Sequence, residues 1–317
     1  MSEDVNVEHL LDVFTSVDMN AFHAWDTCIH FLKHLCWHKP RETVLGSKIE
    51  DLPDKHRSKP SCLYELSKLF ELLGKDTGRK RLLTHTLTLY IERGDGTQIA
   101  RTLRELSDAN RWLGLYMEGI KQLEEALEIW GRFCNATEQA WCLNYLARLL
   151  LDYNQLDSAQ DAATRAIDLV PKEGNEYLVC QTHRFLGDIY HYQGEKEKAV
   201  HHLKTALDIA SLFDWQNQLF WIHHVLAHLF LDECSFDDAH AHIAQAKSHV
   251  AESQYKLGRA MEAQARIWFQ QRRLNDATSE ALGAIEIFEK LGATEDERRC
   301  RFLLYEQMKS KSTRSRR

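Results

Sequence analysis

Proline and glycine are scarce, at 4 and 14 of 317 residues. So few chain breakers exclude collagen-like and linker-dominated architectures and leave room for long helices. The eight cysteines never form a Cys-x-x-Cys pair, which argues against zinc ribbons and thioredoxin-type redox centres. Cys62, Cys142 and Cys180 fall on predicted helices, and the set reads as reduced core thiols of a cytoplasmic protein. An excess of positive charge is also lacking. The formal net charge is −7, whereas binding a polyphosphate begins with a basic surface, so nucleic acid is disfavoured as the main partner. No apolar run approaches the ~18 residues of a membrane span, and the first residues are too polar for a signal peptide, so no membrane association is expected.

Catalytic signatures are missing as well. There is no G-x-S-x-G elbow and no cysteine in a diagnostic nucleophile context. The nearest approach to a phosphate loop, Gly74-Lys75-Asp76-Thr77-Gly78-Arg79-Lys80, lacks the required spacing and a preceding strand. Arg93-Gly94-Asp95 reads as a turn, and the sequon Asn135-Ala136-Thr137 reads as unused.

What the chain does have is small residues in register. Steps of 40 run through Ser67, Ser107, Ala147, Gly187 and Ala227, and a step of 38 then reaches Ala265. A second series reads Gly119, Ala159, Ala199, Ala239, Ala277, and a third Thr86, Ala126, Ala166, Ala206, Ala246, Ala284. The exception is Arg79, which occupies the second small site of the first unit. Small side chains at this spacing let antiparallel helices cross closely, with Leu186, Tyr190 and Leu203 filling the remaining space. Six units begin near Pro60, Ala100, Ala140, Cys180, Phe220 and Gly258.

Leu186-Gly187-Asp188-Ile189-Tyr190, followed by Ala199 and Ala206, resembles the tetratricopeptide repeat (TPR), with His183 replacing the leading Trp. The resemblance implies an all-α fold, a right-handed α-solenoid of six TPR-like helix pairs. The 40-residue period exceeds the usual ~34, so an extra helical turn and a longer loop are expected in each unit. The expected organisation is one elongated body. It has an N-terminal helical segment and loop at 1–59, the array at 60–293, a capping helix at 294–309 and a disordered basic tail at 310–317. Arg298, Arg299 and Arg301 would give the cap a polar outer face.

A narrower likeness rests on Leu103 to Arg111, Ala166 to Pro171, Cys180 to Tyr190 and Phe236 to Ile243. These stretches resemble the C-terminal TPR arrays of fungal NACHT/NB-ARC (STAND-type) signalling NTPases. That likeness implies a sensor arm working with an NTPase module in cis or in trans, and no NTPase activity of its own.

In a TPR array the first helix of each pair lines the concave face. The groove residues expected there are Arg101, Arg104, Trp141, Asn144, Arg148, Arg184, Trp221, His224, His228 and Arg266. Arginine forks suit carboxylates and tryptophan supplies an apolar anchor, so the expected ligand is a peptide or partner helix favouring acidic residues. The bland reading of Asp108, Arg148 and Asp188 is mutual bridging that stiffens the array. The Lys/Asn carboxylate clamp of chaperone-tail receptors is absent. No metal or cofactor is expected, although His30, His34 and His38 share a helical face and His223, His224 and His228 cluster. A helical-repeat RNA binder and a metal-dependent enzyme using those histidines are the alternatives to a non-enzymatic interaction scaffold.

Overall fold

A computed structural model describes residues 53–55, 59–72, 76–170, 174–250, 253–293 and 296–305. The expected N-terminal helical segment, its histidines, Pro171 and the basic tail lie outside these residues. The fold is all-α. Among the described residues there are thirteen helices and no strand. They are α1 (Lys59–Leu72), α2 (Asp76–Arg93), α3 (Gly96–Trp112), α4 (Tyr116–Arg132), α5 (Ala136–Asp152) and α6 (Leu156–Leu169). Then follow α7 (Glu176–Tyr192), α8 (Lys196–Leu212), α9 (Gln216–Asp232), α10 (Phe236–Ser248), α11 (Gln254–Gln270), α12 (Leu274–Leu291) and α13 over 296–305.

The 20-residue rhythm comes from a repeated turn. Most helices of the array run 17 residues and are joined by three, with longer connections at 170–175 and 249–253. The extra length of the repeat therefore lies in its helices, and longer loops are not a general feature. In the turn after α3, the Leu115 amide donates to the Asn110 carbonyl at 2.8 Å and Gly114 donates to Arg111 at 3.1 Å. This Schellman closure needs a left-handed residue at its centre. Gly94, Gly114 and Gly194 meet the requirement freely, but Cys134, Asn154, Asp214, Cys234 and Arg272 adopt it too, with φ between 51° and 63°. Helix starts are capped where the chemistry allows: Asp95 accepts from the Gln98 amide at 3.2 Å, and the sequon residue Asn135 accepts from Glu138 at 3.1 Å.

The contacts divide the chain into two compact units, Met1–Ile129 and Trp130–Arg317. In the first, α1 packs on α2 and α2 on α3. Leu63, Leu66, Leu82 and Leu89 form its centre. Arg79, the misfit at a small-residue position, is buried and held by three carboxylates. It donates to Asp108 at 2.8 Å and Glu105 at 3.0 Å, and Glu71 lies 3.1 Å away. Burial works against its charge, but Asp108, Glu71 and Glu105 outweigh that and raise its pKa.

In the second unit, α5/α6, α7/α8, α9/α10 and α11/α12 are antiparallel pairs, and each second helix packs on the next first helix. Ala147, Ala159, Ala166, Gly187, Tyr190, Ala199, Ala206, Ala227, Ala239 and Ala246 are all buried. Gly187 shows why size matters there. A Cβ on it would stand 2.5 Å from Leu203 Cγ, and Leu203 is itself fully buried. Cys62, Cys142, Cys180 and Cys300 are buried thiols as expected, and Cys180 Sγ donates to the Ala206 carbonyl at 3.3 Å. Cys134 and Cys234 depart from that expectation: both are exposed, at left-handed turn positions.

The last helix also differs from expectation. Arg299 turns inward to Glu262 at 3.4 Å and also pairs with Asp296, because those two buried carboxylates need cations. The exposed residues of α13 include Phe302 and Tyr305.

Two sets of substitutions check this packing. Gly187→Ala should destabilise the protein by about 1–3 kcal/mol through overpacking. The loss should be less than additive with Leu203→Val in a double-mutant cycle followed by urea unfolding. Cys134→Gly and Arg272→Gly should each stabilise it by about 1 kcal/mol by removing a left-handed Cβ clash, read as a higher urea midpoint at unchanged m-value.

Candidate functional site

Helices α5, α7, α9 and α11 pack side by side in the second unit. Residues three and four apart share a helical face, so each helix presents one stripe. On α5 the stripe is Trp141, Asn144, Arg148 and Asp152; on α7 it is Tyr177, Gln181, Arg184 and Asp188. On α9 it is Gln218, Trp221, His224 and His228, and on α11 it is Tyr255, Arg259, Glu262 and Arg266. Read across the helices, these stripes make an aromatic row, a polar row and a charged row.

The aromatic row is nearly continuous. Trp141 and Tyr177 have ring centroids 6.2 Å apart, Tyr177 and Trp215 meet edge to face at 4.9 Å, and Trp215 stacks on Phe213 at 4.7 Å. Further along, Trp221 lies 6.4 Å from Tyr255. Trp141, Tyr177, Trp215, Trp221 and Tyr255 are all half-buried.

The polar row is largely sunk into the unit. Asn144, Arg184 and His224 were expected to line an open groove. They are buried instead, because their partners sit on the neighbouring first helices. Asn144 Nδ2 donates to Gln181 Oε1 at 2.8 Å, and Arg184 Nε donates to Gln218 Oε1 at 3.0 Å. Two polar atoms of this row find no partner: Asn144 Oδ1 and His224 Nε2. Such orphans are uncommon in a folded interior and call for an explanation.

The charged row is internally matched. Arg148 reaches Asp188 at 3.5 Å and Asp152 at 3.2 Å, and Arg184 reaches Asp188 at 3.6 Å. These contacts are long, and burial dominates both partners. It holds Arg184 down to about 10 and raises Asp188. At the α11 end the pairing is tight. Arg259 and Arg266 hold Glu262 at 3.0 and 2.9 Å, and Arg259 holds Asp296 at 3.1 Å. Burial there is overridden by Arg259, Arg299 and Arg266, and the Glu262 carboxyl falls to about 2. Arg266 therefore belongs to a clamp between α11 and α13. The bridging of Arg148 and Asp188 is observed, so the expected surplus of positive charge on this face is absent, and with it the basis for an acidic ligand or an RNA strand.

Arg101 and Arg104 stand in the first unit. Arg101 is exposed, and Arg104 lies 3.7 Å from Glu105. Asp108 pairs with Arg79 and Arg111. Tyr177 and Trp215 were missed in the sequence. Tyr177 and Tyr255 both precede a repeat start by three residues, which is a readable signal, whereas Trp215 sits at a helix-start position whose residue type varies along the array.

Burial works against the charged form of several histidines on these helices. His228 is pushed down to about 3 by burial and by Arg266 and Arg259, and burial also lowers His224 well below the usual imidazole range. Two further pairs recur one repeat apart between the helices of a pair. His183 and His202 face each other with Nδ1 atoms 2.8 Å apart, and His223 and His242 do so at 2.9 Å. Burial and neighbouring imidazoles lower His202 and His223 to about 4. Among the described residues, no three His, Cys, Asp or Glu side chains are placed to hold a metal ion, and no helix is long and apolar enough to cross a membrane.

Comparison with known proteins agrees with the helical-repeat fold. The tetratricopeptide repeat family profile matches residues 98–172. No curated protein matches the chain in sequence. Among solved structures, the fold is similar to a Rap protein complexed with competence and sporulation factor. The TM-score is 0.64 and the identity 15%, over 96% of this chain and 91% of that one. It is also similar to the Rap conjugation gene regulator of plasmid pLS20 in complex with the Phr* peptide, with TM-score 0.62 and 13% identity over 83% and 69%. A STAND protein with a tetratricopeptide repeat sensor from Pyrococcus horikoshii superposes with TM-score 0.55 and 13% identity, over 82% of this chain and 44% of that one.

The lowered histidines fix the sign of a pH dependence. Their folded pKa values lie below the ordinary ~6.5, so the unfolded chain binds more protons between about pH 6.5 and 4. Stability from these groups is complete above about pH 6.5 and is lost as the pH falls towards 4. The double variant His202→Gln/His223→Gln should lose about 1–3 kcal/mol less than the parent between pH 7 and 4.5, measured from urea midpoints at both pH values.

Proposed function

We propose that this chain is a non-enzymatic protein-interaction scaffold whose second unit binds an extended peptide, or a partner's helix laid out at the same spacing. One observation carries the reading: Asn144 Oδ1 and His224 Nε2 are buried without partners beside the half-exposed rings of Trp141 and Trp221. An unmatched buried atom calls for a partner, and a bound ligand is one group that can supply it. Trp141 and Asn144 are three residues apart on α5, and the Trp221 and His224 rings are 5.7 Å apart on α9. Apolar anchors thus adjoin orphaned polar atoms at two places. The similarity to Rap proteins solved with a peptide or with competence and sporulation factor is in keeping with this use of the fold.

In the finer form of the proposal, the array of residues 60–293 is the sensor arm of a STAND-type signalling protein, acting in the cytoplasm with an NTPase module in cis or in trans. The likeness to fungal NACHT/NB-ARC arrays and the fold shared with an archaeal STAND sensor support it. Arg148 and Arg184 then position the site through Asp188 and Gln218, and His228 fills the space behind His224.

Panning a random peptide phage library on the immobilised full chain should enrich a recurring sequence. Trp141→Ala/Trp221→Ala should keep its helical circular dichroism and lose at least about tenfold in affinity for that sequence. Absence of any recurring sequence, or a double variant that binds as well as the parent, would refute the reading.

A further inference from the structure

We infer that the ligand segment seated on α5, α7 and α9 is an uncharged stretch of peptide carrying aromatic side chains, and not an acidic one. The inference rests on the scaffold reading above and names the chemistry of its ligand. It follows from charge matching on this face. The ionised groups of the α5 and α7 stripes are Arg148 and Arg184 against Asp152 and Asp188, two cations for two anions, each in contact with an opposite charge. The α9 stripe adds only His224 and His228. Neither arginine is left over for a ligand carboxylate, and an acidic side chain brought here would compete with Asp188 for both.

What the face leaves unmatched is neutral. The Nδ2 of Asn144 is committed to Gln181, so its orphan Oδ1 can only accept, and a ligand must bring an N–H. A peptide backbone brings N–H groups at regular intervals, and its side chains supply the rest. The edge of Tyr177 against Trp215 and the tilted Trp141–Tyr177 pair leave ring surface half-exposed on α5, on α7 and at the start of α9. Aromatic rings pack on such surfaces edge to face or offset, adding to the area they bury. At the α11 end the carboxylates of Glu262 and Asp296 are already held by Arg259, Arg266 and Arg299, with Arg259 and Arg299 tying α11 to α13, so no free carboxylate is offered to a cationic ligand group there either.

The test uses two pools of fluorescein-labelled nonapeptides with acetylated and amidated ends, titrated against the full chain by fluorescence polarisation. One pool is uncharged with Trp, Tyr or Phe at alternate positions; the other carries Asp or Glu there. The uncharged pool should bind at least about tenfold more tightly. Its affinity should change less than about twofold between about 50 and about 500 mM salt, since no exposed ion pair forms. Trp141→Leu and Asn144→Ala should each weaken it by about fivefold or more, the latter through one lost hydrogen bond. Equal or tighter binding of the acidic pool, or affinity that collapses with salt, overturns the inference and leaves the scaffold reading standing. So does unchanged affinity in both variants. Failure of both pools to bind, where phage panning also yields nothing, overturns the two together.

Discussion

The distance at which two helices can cross decides most of what this protein is. At Gly187 a single added carbon would collide with Leu203, and alanine holds the corresponding crossing at Ala147 and Ala227. Close crossing buries the backbone of both helices along with their side chains, and helices of 17 residues then provide enough length to pack without a large core residue at every turn. The stability of each unit comes from many such contacts between neighbours in sequence, as expected of repeat proteins. The first unit meets the same geometric demand differently. There Arg79 occupies a small-residue position, and the cost of burying a guanidinium is offset by Glu71, Glu105 and Asp108 together.

Because the first helices of the second unit stand side by side in constant register, a residue type repeated at one offset becomes a row in space. That is how polar groups spread over 120 residues of sequence form one face. The charges on it divide into two regimes. Around Glu262 the cations are close and the carboxylate is held ionised, while around Asp188 contacts are longer and burial raises the carboxyl instead. The first regime fastens the final helix in place. His224, whose Nε2 is orphaned, feels the cations of the first, Arg259 and Arg266.

The fold was legible because its determinant is periodic. The three series of small residues mark buried crossings with no help from long-range information. The candidate site was legible only in part. Repeat offsets place Trp141, Asn144, Trp221 and His224 on the first helices of their pairs, but an offset does not tell how deep a side chain sits. Depth depends on the next helix, where Gln181 and Gln218 reach across to Asn144 and Arg184. The inward turn of Arg299 was hidden for the same reason, since its partner Glu262 lies 37 residues earlier. Trp215 was hidden because the residue type at its recurring helix-start position changes from turn to turn: Asn135, Gln155, Asn175, Glu195, Trp215 and Ser235.

The turn itself has a consequence for how such a chain can vary. Gly94, Gly114, Cys134, Asn154, Gly174, Gly194, Asp214 and Cys234 all place a left-handed residue at intervals of 20. A joint that does not depend on the identity of its central side chain is interchangeable. Excising or duplicating 40 residues between two matching short joints, the longer connection at Gly174 aside, brings together ends of the same backbone conformation, so genes of this design can gain or shed whole helix pairs without inventing a new connection.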